Sequence, residues 1–136
     1  MTAYTKPLPA MLPWTVPFWE GARQGKIMIQ RGKKTGKLIM YPKKYSPHDY
    51  TEEIEWIEAS GKGKIYTFST VYHNATQEFK EDMPFVMAVV ELKEGVRMCT
   101  NIVDTPLEKI ACDAPVEVVF TPVTDEVTLV KFRVVQ

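Results

Sequence analysis

Little in this 136-residue chain is present in excess, and several things are scarce. There are two cysteines, Cys99 and Cys112, too few for a disulfide framework and not spaced as a metal knuckle; both are expected to be reduced and buried. Net charge is absent, because 17 Lys and Arg balance 17 Asp and Glu, so no chain-wide basic field argues for nucleic acid or an anionic membrane. No apolar run approaches the roughly 18 to 20 residues of a spanning helix. The opening MTAYTKPLPAMLPW has neither a basic n-region nor a continuous apolar stretch. A cytoplasmic chain without a membrane or nucleic-acid partner is the expectation. Internal repeats and low-complexity tracts are missing as well. What is there, 45% hydrophobic, 25% charged and 11% aromatic residues, suits one compact domain or a small domain with a satellite, and excludes disorder.

The zero average hides two charge blocks. From Gly21 to His48 there are eight bases (Arg23, Lys26, Arg31, Lys33, Lys34, Lys37, Lys43 and Lys44) and no acid, whereas Asp49 to Ala59 holds five acids (Asp49, Glu52, Glu53, Glu55 and Glu58) and no base. Pro7, Pro9, Pro13 and Pro17 keep the start extended until Pro17, which suits the first turn of a helix because its missing N–H has no intrahelical partner there. Phe18, Trp19 and Ala22 follow at helical spacing, Gly21 weakens the helix, and Gly25 ends it in a left-handed cap. KIMIQRG then alternates as a strand with Ile27 and Ile29 on one face, GKKTGK turns, and LIMY closes a hairpin. From Glu53 the pattern is nearly all period two: EIEWIEA, GKIYTFSTVYH, FVMAVVEL, VRMCTNIV, VEVVF and VTLVKFRVV read as six strands. Between the fourth and fifth of these, Asp104 or Thr105 is placed to cap one helical turn starting at Pro106. Short strands with one helical turn before the penultimate strand predict a small closed Greek-key barrel of the OB type.

PFWEGARQGKIMIQRGKKTGKLIMYPKKYSPHD, WIEASGKGKIYTFSTVYH, FVMAVVELKEGVRM and the late APVEVVFTPV together resemble, over residues 17 to 134, the acyl-CoA-associated family with an N-terminal zinc ribbon and a C-terminal OB fold, long classed as domains of unknown function. The resemblance implies a mainly β fold in two parts: an N-terminal extension, short helix and rubredoxin-like zinc-ribbon remnant over 1–50, then an OB-fold barrel over 51–136. It also implies a small non-catalytic subunit that assembles with a thiolase, in archaea together with 3-hydroxy-3-methylglutaryl-CoA synthase. The family's four zinc cysteines fall here on Gly32, Thr35, Ser46 and Asp49. Those residues cannot supply four soft or imidazole ligands, so no metal and no resident cofactor are expected, with the ribbon held by packing of Ile27, Ile29, Leu38, Met40, Tyr41 and Tyr45 or by its partner. His48 and Asp49 with a distant His73 read as solvent-exposed loop groups.

Arg31, Lys33, Lys34, Lys37, Lys43 and Lys44 are candidates for a cationic face toward the phosphates of coenzyme A or toward an acidic partner; a merely solvated hairpin is the alternative. Ser60 to Gly63 lacks a phosphate-loop pattern and reads as a turn. Phe18, Trp19 and Arg23 on the short helix are candidates for docking a partner, with burial in the core as the other possibility for the aromatic pair. Trp56, Tyr66, Phe68 and Tyr72 imitate a base-stacking platform but have acids beside them where such a platform needs bases. For catalysis, Cys99, Cys112, His48 and His73 show no nucleophile next to a base, and Lys80, Glu81 and Asp82 read as a solvated turn. The sequon Asn74-Ala75-Thr76 has no consequence without a secretion signal. The expectation is therefore an accessory or scaffold subunit of a thiolase-like acyl-CoA enzyme. A stand-alone acyl-CoA-binding module is the alternative, and a single-stranded nucleic-acid-binding OB domain is a third.

Overall fold

The computed structural model describes residues 4–73 and 75–135; Asn74 of the sequon lies outside them. A single 3-10 turn, Pro13–Thr15, leads into helix α1, Val16–Arg23. The helix ends as its sequence predicts: the Gly25 N–H donates to the Ala22 carbonyl at 3.0 Å with Gly25 at φ +77°, a left-handed conformation that glycine enters without cost to a side chain.

Among the described residues eight strands follow: β1 (Ile27–Gly32), β2 (Leu38–Ile39), β3 (Ile54–Ala59), β4 (Lys62–Val71), β5 (Phe85–Leu92), β6 (Arg97–Ile102), β7 (Pro115–Pro122) and β8 (Thr128–Val134). They form a three-stranded antiparallel sheet of order β2-β1-β3 and a closed barrel of order β4-β5-β6-β8-β7, with β7 returning to β4. β6 and β8 run parallel and match at one position, Ile102 with Phe132. A five-stranded closed barrel with one parallel contact and a short helical turn before its fourth strand is the OB arrangement. That turn, Leu107–Lys109, has no side-chain cap; the Thr105 hydroxyl instead donates to Val103 O at 2.8 Å and accepts the Val134 N–H at 3.1 Å, tying the loop to β8.

Alternation predicted where the strands are but not which sheet each joins. EIEWIEA, assigned to the barrel, pairs along its length with β1, from Ile27 opposite Ala59 to Gly32 opposite Ile54. The sheets therefore divide after Ala59 and not at residue 50. The two charge blocks meet in this pairing: Arg31 stands opposite Glu55 and bonds it at 2.9 Å, and Glu58 comes within 3.8 Å of Lys26, just before β1. The hairpin strand LIMY shrinks to Leu38–Ile39.

Strand β4 is hydrogen-bonded to β5 on one side and β7 on the other. At Gly63 the chains come so close that a Cβ would collide with the Glu91 carbonyl, so only glycine fits. A register shift between Ile65 and Thr67 leaves Tyr66 bulged outward, where the Arg97 guanidinium lies 3.7 Å from its ring centroid.

One core runs through both sheets. Phe18 of α1, Ile27 and Ile29 of β1 and Ala59 of β3 join Ile65, Val86, Val90, Met98, Val116 and Phe132 of the barrel in a single buried cluster. Leu38 and Met40 pack against it, while Ile39 is buried in its own right. Tyr41 and Tyr45, expected to help hold the ribbon by packing, are 45% and 53% exposed. Both cysteines, expected buried, are free and exposed; on β6 the inward parity belongs to Met98 and Ile102, which turns Cys99 outward. No described helix is long and apolar enough to cross a membrane.

Candidate functional site

The predicted cationic face is divided by the fold. On the hairpin, Arg31 bonds Glu55 at 2.9 Å and Lys34 bonds Glu53 at 2.9 Å; the Glu53 bond and charge raise the Lys34 pKa. Lys33 and Lys37 remain exposed at the same turn. Lys43 and Lys44 lie elsewhere, on the loop after β2, and line a groove. Two of the six bases are thus matched with glutamates, and two others line the groove.

The four degenerate zinc positions do come together. A Cβ on Gly32 would sit 2.6 Å from the Thr35 hydroxyl and 3.8 Å from that of Ser46. Ser46 is buried and its hydroxyl accepts the His48 N–H at 3.2 Å. Asp49 takes the Thr51 N–H at 3.2 Å and the Thr51 hydroxyl at 2.9 Å on Oδ1, which holds its carboxyl below the ordinary 3.8; its Oδ2 is buried with no hydrogen-bond partner. One position has no side chain, two are hydroxyls and one is a carboxylate, a donor set that does not fit structural zinc. Among the described residues no three His, Cys, Asp or Glu side chains gather as a metal site.

The loop after β2 is held by a residue that sequence reasoning passed over. Gln30, 3% exposed, donates its Nε2 to the Lys43 carbonyl at 2.8 Å and accepts the Lys43 N–H on Oε1 at 2.7 Å. The side chain thus replaces the missing continuation of β2. From this loop the Tyr41 hydroxyl reaches the barrel and accepts the Cys99 N–H of β6 at 2.6 Å. Burial pushes the Tyr41 phenol above its ordinary 10.0, and the Cys99 thiol beside it adds to the rise.

Between this loop, α1 and strands β6 and β8 lies a groove of about 800 Å³. Its floor is Met98, Cys99, Thr100, Leu129 and Val130; Trp14 and Trp19 wall one side, Met40, Tyr41 and Tyr45 the other. The groove exists because β6 and β8 match at only one position and leave the seam open above it. Lys43, Lys44 and Lys131 are its charged lining residues, with no Asp, Glu or His among them. An exposed thiol without a neighbouring base is no equipped nucleophile.

Of the three helix residues proposed to dock a partner, Phe18 is buried in the core. It meets Trp19 edge to face at 5.0 Å between ring centroids. Trp19 lines the groove, and Arg23 bonds Glu20 at 3.1 Å. The stacking platform does not assemble: Trp56 is on the ribbon sheet, and Tyr66 is already covered by Arg97, which also approaches Glu91 at 3.4 Å.

A family described as the ChsH2 C-terminal OB-fold domain matches residues 56–121. In the solved structure of an Ltp2-ChsH2(DUF35) aldolase, one chain superposes with a TM-score of 0.83 at 32% identity, covering 93% of this chain and 98% of that one. A DUF35 domain-containing scaffold protein of Pyrococcus furiosus is 30% identical over 103 residues, 75% of this chain and 74% of its own length. The benzoylsuccinyl-CoA thiolase subunit BbsA of Geobacter metallireducens is 26% identical over 106 residues, 76% of this chain and 69% of its own. A probable enoyl-CoA hydratase alpha subunit of Thermomonospora curvata is 33% identical over 128 residues, 94% of this chain, yet the chain spans only 40% of its length. Ribbon sheet, OB barrel and these likenesses agree: the chain belongs to the DUF35 family, with the OB fold of ChsH2.

Proposed function

We propose that the chain is a non-catalytic accessory subunit of a thiolase-like acyl-CoA enzyme, cytoplasmic, ordering its partner and shielding a thioester from water while the chemistry stays with the partner. The observation that carries this is the likeness, over nearly the whole chain, to the DUF35 part of an Ltp2-ChsH2 aldolase. The scaffold name of the Pyrococcus relative and the thiolase-subunit name of the Geobacter one support it. On the chain itself, an aromatic groove beside three lysines is a surface for contact, and Cys99 in its lining has no His, Asp or Glu among the other lining residues.

The test is purification of the chain from its own cells in mild salt with mass spectrometry of what co-elutes. A stoichiometric thiolase- or aldolase-like enzyme, losing turnover when the chain is removed, is the expected result. Co-elution of a 3-hydroxy-3-methylglutaryl-CoA synthase as a third component would identify the three-part assembly. A chain that elutes alone sinks the accessory role and moves the weight to a stand-alone acyl-CoA-binding module.

A further inference from the structure

Where β5 begins and β6 finishes, one end of the barrel is covered by irregular chain. The 3-10 turn Gln77–Asp82 lies over it on one side and Tyr4, Lys6 and Pro7 of the N-terminal segment on another. Beneath them is a second cavity, of about 710 Å³, whose lining reaches Val86, Ile102 and Ile110 of the common core. It shares only Asn101, Leu129 and Lys131 with the groove beside α1. Phe79 of the turn stands 6.2 Å from Phe85 between ring centroids, so this cover is itself aromatic. The volume falls within the usual range of small-molecule sites.

Electrostatics selects the kind of occupant. The charged residues of the lining balance, Lys6 and Lys131 against Asp82 and Asp104, and Lys6 already meets Asp82 at 3.1 Å. The polar side chains are engaged from within: Asn101 Nδ2 donates to Val86 O at 3.1 Å, and the Thr105 hydroxyl is bonded to both Val103 and Val134. A lining with no surplus of either sign gives little in return for stripping water from a ligand charge. Its open apolar surface gains from being covered. The fitting molecule is therefore uncharged and mainly apolar.

The N-terminal cover is lightly held. Pro7 and Pro9 have no N–H to give, and among the described residues no backbone hydrogen bond joins residues 4–11 to the barrel. The arm is pinned by Lys6, whose Nζ reaches Asp82 and lies 5.7 Å from the Tyr4 ring centroid. Asp82 belongs to the turn that the sequence analysis reads as merely solvated. With the two side chains 28% and 44% exposed, the contact is a weak latch, and releasing it breaks no strand pairing.

We infer that this end of the barrel is a second ligand site, for an uncharged molecule with an apolar ring body, and that the N-terminal arm is its lid, latched by Lys6 on Asp82. The body rests on Val86, Ile102 and Ile110 beneath Phe79 and the arm. The site goes beyond the accessory role and is independent of it, since it belongs to the isolated chain.

Three naphthalenes with one ring body and different charge provide the test: 2-naphthol, uncharged at neutral pH, 2-naphthoate and 2-naphthylmethylammonium. Each is titrated into the full chain while amide shifts are followed by nitrogen-15 correlation spectra. Expected are saturable binding of 2-naphthol with shifts at residues 79–86 and 101–110, and affinities about tenfold weaker for both ions. Leu107, a lining residue 40% exposed, can be enlarged without entering the core; Leu107→Trp, checked for fold by circular dichroism, should weaken 2-naphthol at least about tenfold. Stopped-flow dilution reads the lid: Lys6→Glu should release 2-naphthol about fivefold faster, and the Lys6→Glu, Asp82→Lys exchange should restore the slow release. No saturable binding, equal affinity for the three probes, or shifts confined to residues 40–45 overturns the site. Release unchanged by Lys6→Glu, or left fast by the exchange, overturns the lid. Because no partner is present, failure here is distinct from failure of co-purification.

Discussion

The barrel and the ribbon sheet share one core but are held in different ways. In the barrel, β7 and β8 match at seven successive positions and β4 is paired on both edges. In the ribbon, β1 and β3 match at six positions but β1 and β2 at only two, and beyond β2 side chains take over: Gln30 holds Lys43, Tyr41 holds Cys99, Ser46 and Thr51 close the turn around Asp49. The barrel is built from backbone ladders that many sequences can form. The ribbon's third strand and the loop after it depend on a few named side chains.

The largest expected effect breaks both regions at once. Phe132 is 0% exposed at the centre of the common core, and Phe132→Ala should cost about 3 to 5 kcal/mol. Denaturation followed by tryptophan emission and by far-UV dichroism should show one coincident transition, because Phe18, Ile27 and Ile29 pack into the same cluster; two separated transitions would mean that the ribbon melts independently.

Gln30→Ala sharpens the comparison from the ribbon side. It removes two hydrogen bonds and strands the Lys43 backbone, at a cost of about 1 to 3 kcal/mol. Hydrogen exchange should speed up at residues 40–45 while β5 and β8 keep their protection; unchanged exchange there would show that the loop is secured by other means.

A smaller effect is expected from the cross-strand charges. Arg31 and Glu55 are each about two-fifths exposed, so a double-mutant cycle with Arg31→Ala and Glu55→Ala should return a coupling of about 0.2 to 1 kcal/mol that declines with salt. A coupling insensitive to salt would contradict the exposed geometry.

Asp49 gives a pH signature. Its folded carboxyl titrates below the ordinary 3.8 because Thr51 donates to it through N–H and hydroxyl. Its contribution is complete above the unfolded value and is lost as pH falls through the lower folded one. Asp49→Asn should remove that part of the acid-side decline; an identical acid limb in both proteins would remove the role given to Thr51. The smallest expected effect is none at all: a chelator should leave the melting temperature unchanged, and metal analysis should find no stoichiometric zinc. A drop in melting temperature with EDTA would show that the ribbon still rests on a metal.

Strand positions were legible because each barrel strand has one inward face; that same parity, with Met98 inward, turns out Cys99, where a buried thiol was expected. The same alternation misled at Gln30, whose neighbours Ile27 and Ile29 face the barrel core; the 40–45 loop covers the opposite face of β1, and nothing local in the sequence announces that. It was also silent on partners, since a period of two tells which face is apolar and not which edge is filled. The opposed charge blocks on either side of residue 50 held that information for β1 and β3, but only the register converts it into Arg31 with Glu55. The site was half visible: Lys43, Lys44 and Trp19 were singled out, while Tyr41 as a bridge and Lys131 come into place only when a loop and two strands distant in sequence converge.

The hydrogen bond from the Cys99 N–H to Tyr41 has a consequence for self-association. Where β6 and β8 separate, β6 has a free edge, and an unpaired strand edge next to apolar surface is an invitation for a second copy to add a strand. Tyr41 occupies one such donor, and the Thr100 hydroxyl bridges from β6 to Val130 O of β8. Tyr41 in this sense guards one open position of an incompletely zipped barrel, and Tyr41→Phe should be seen first as a faster-aggregating protein on storage.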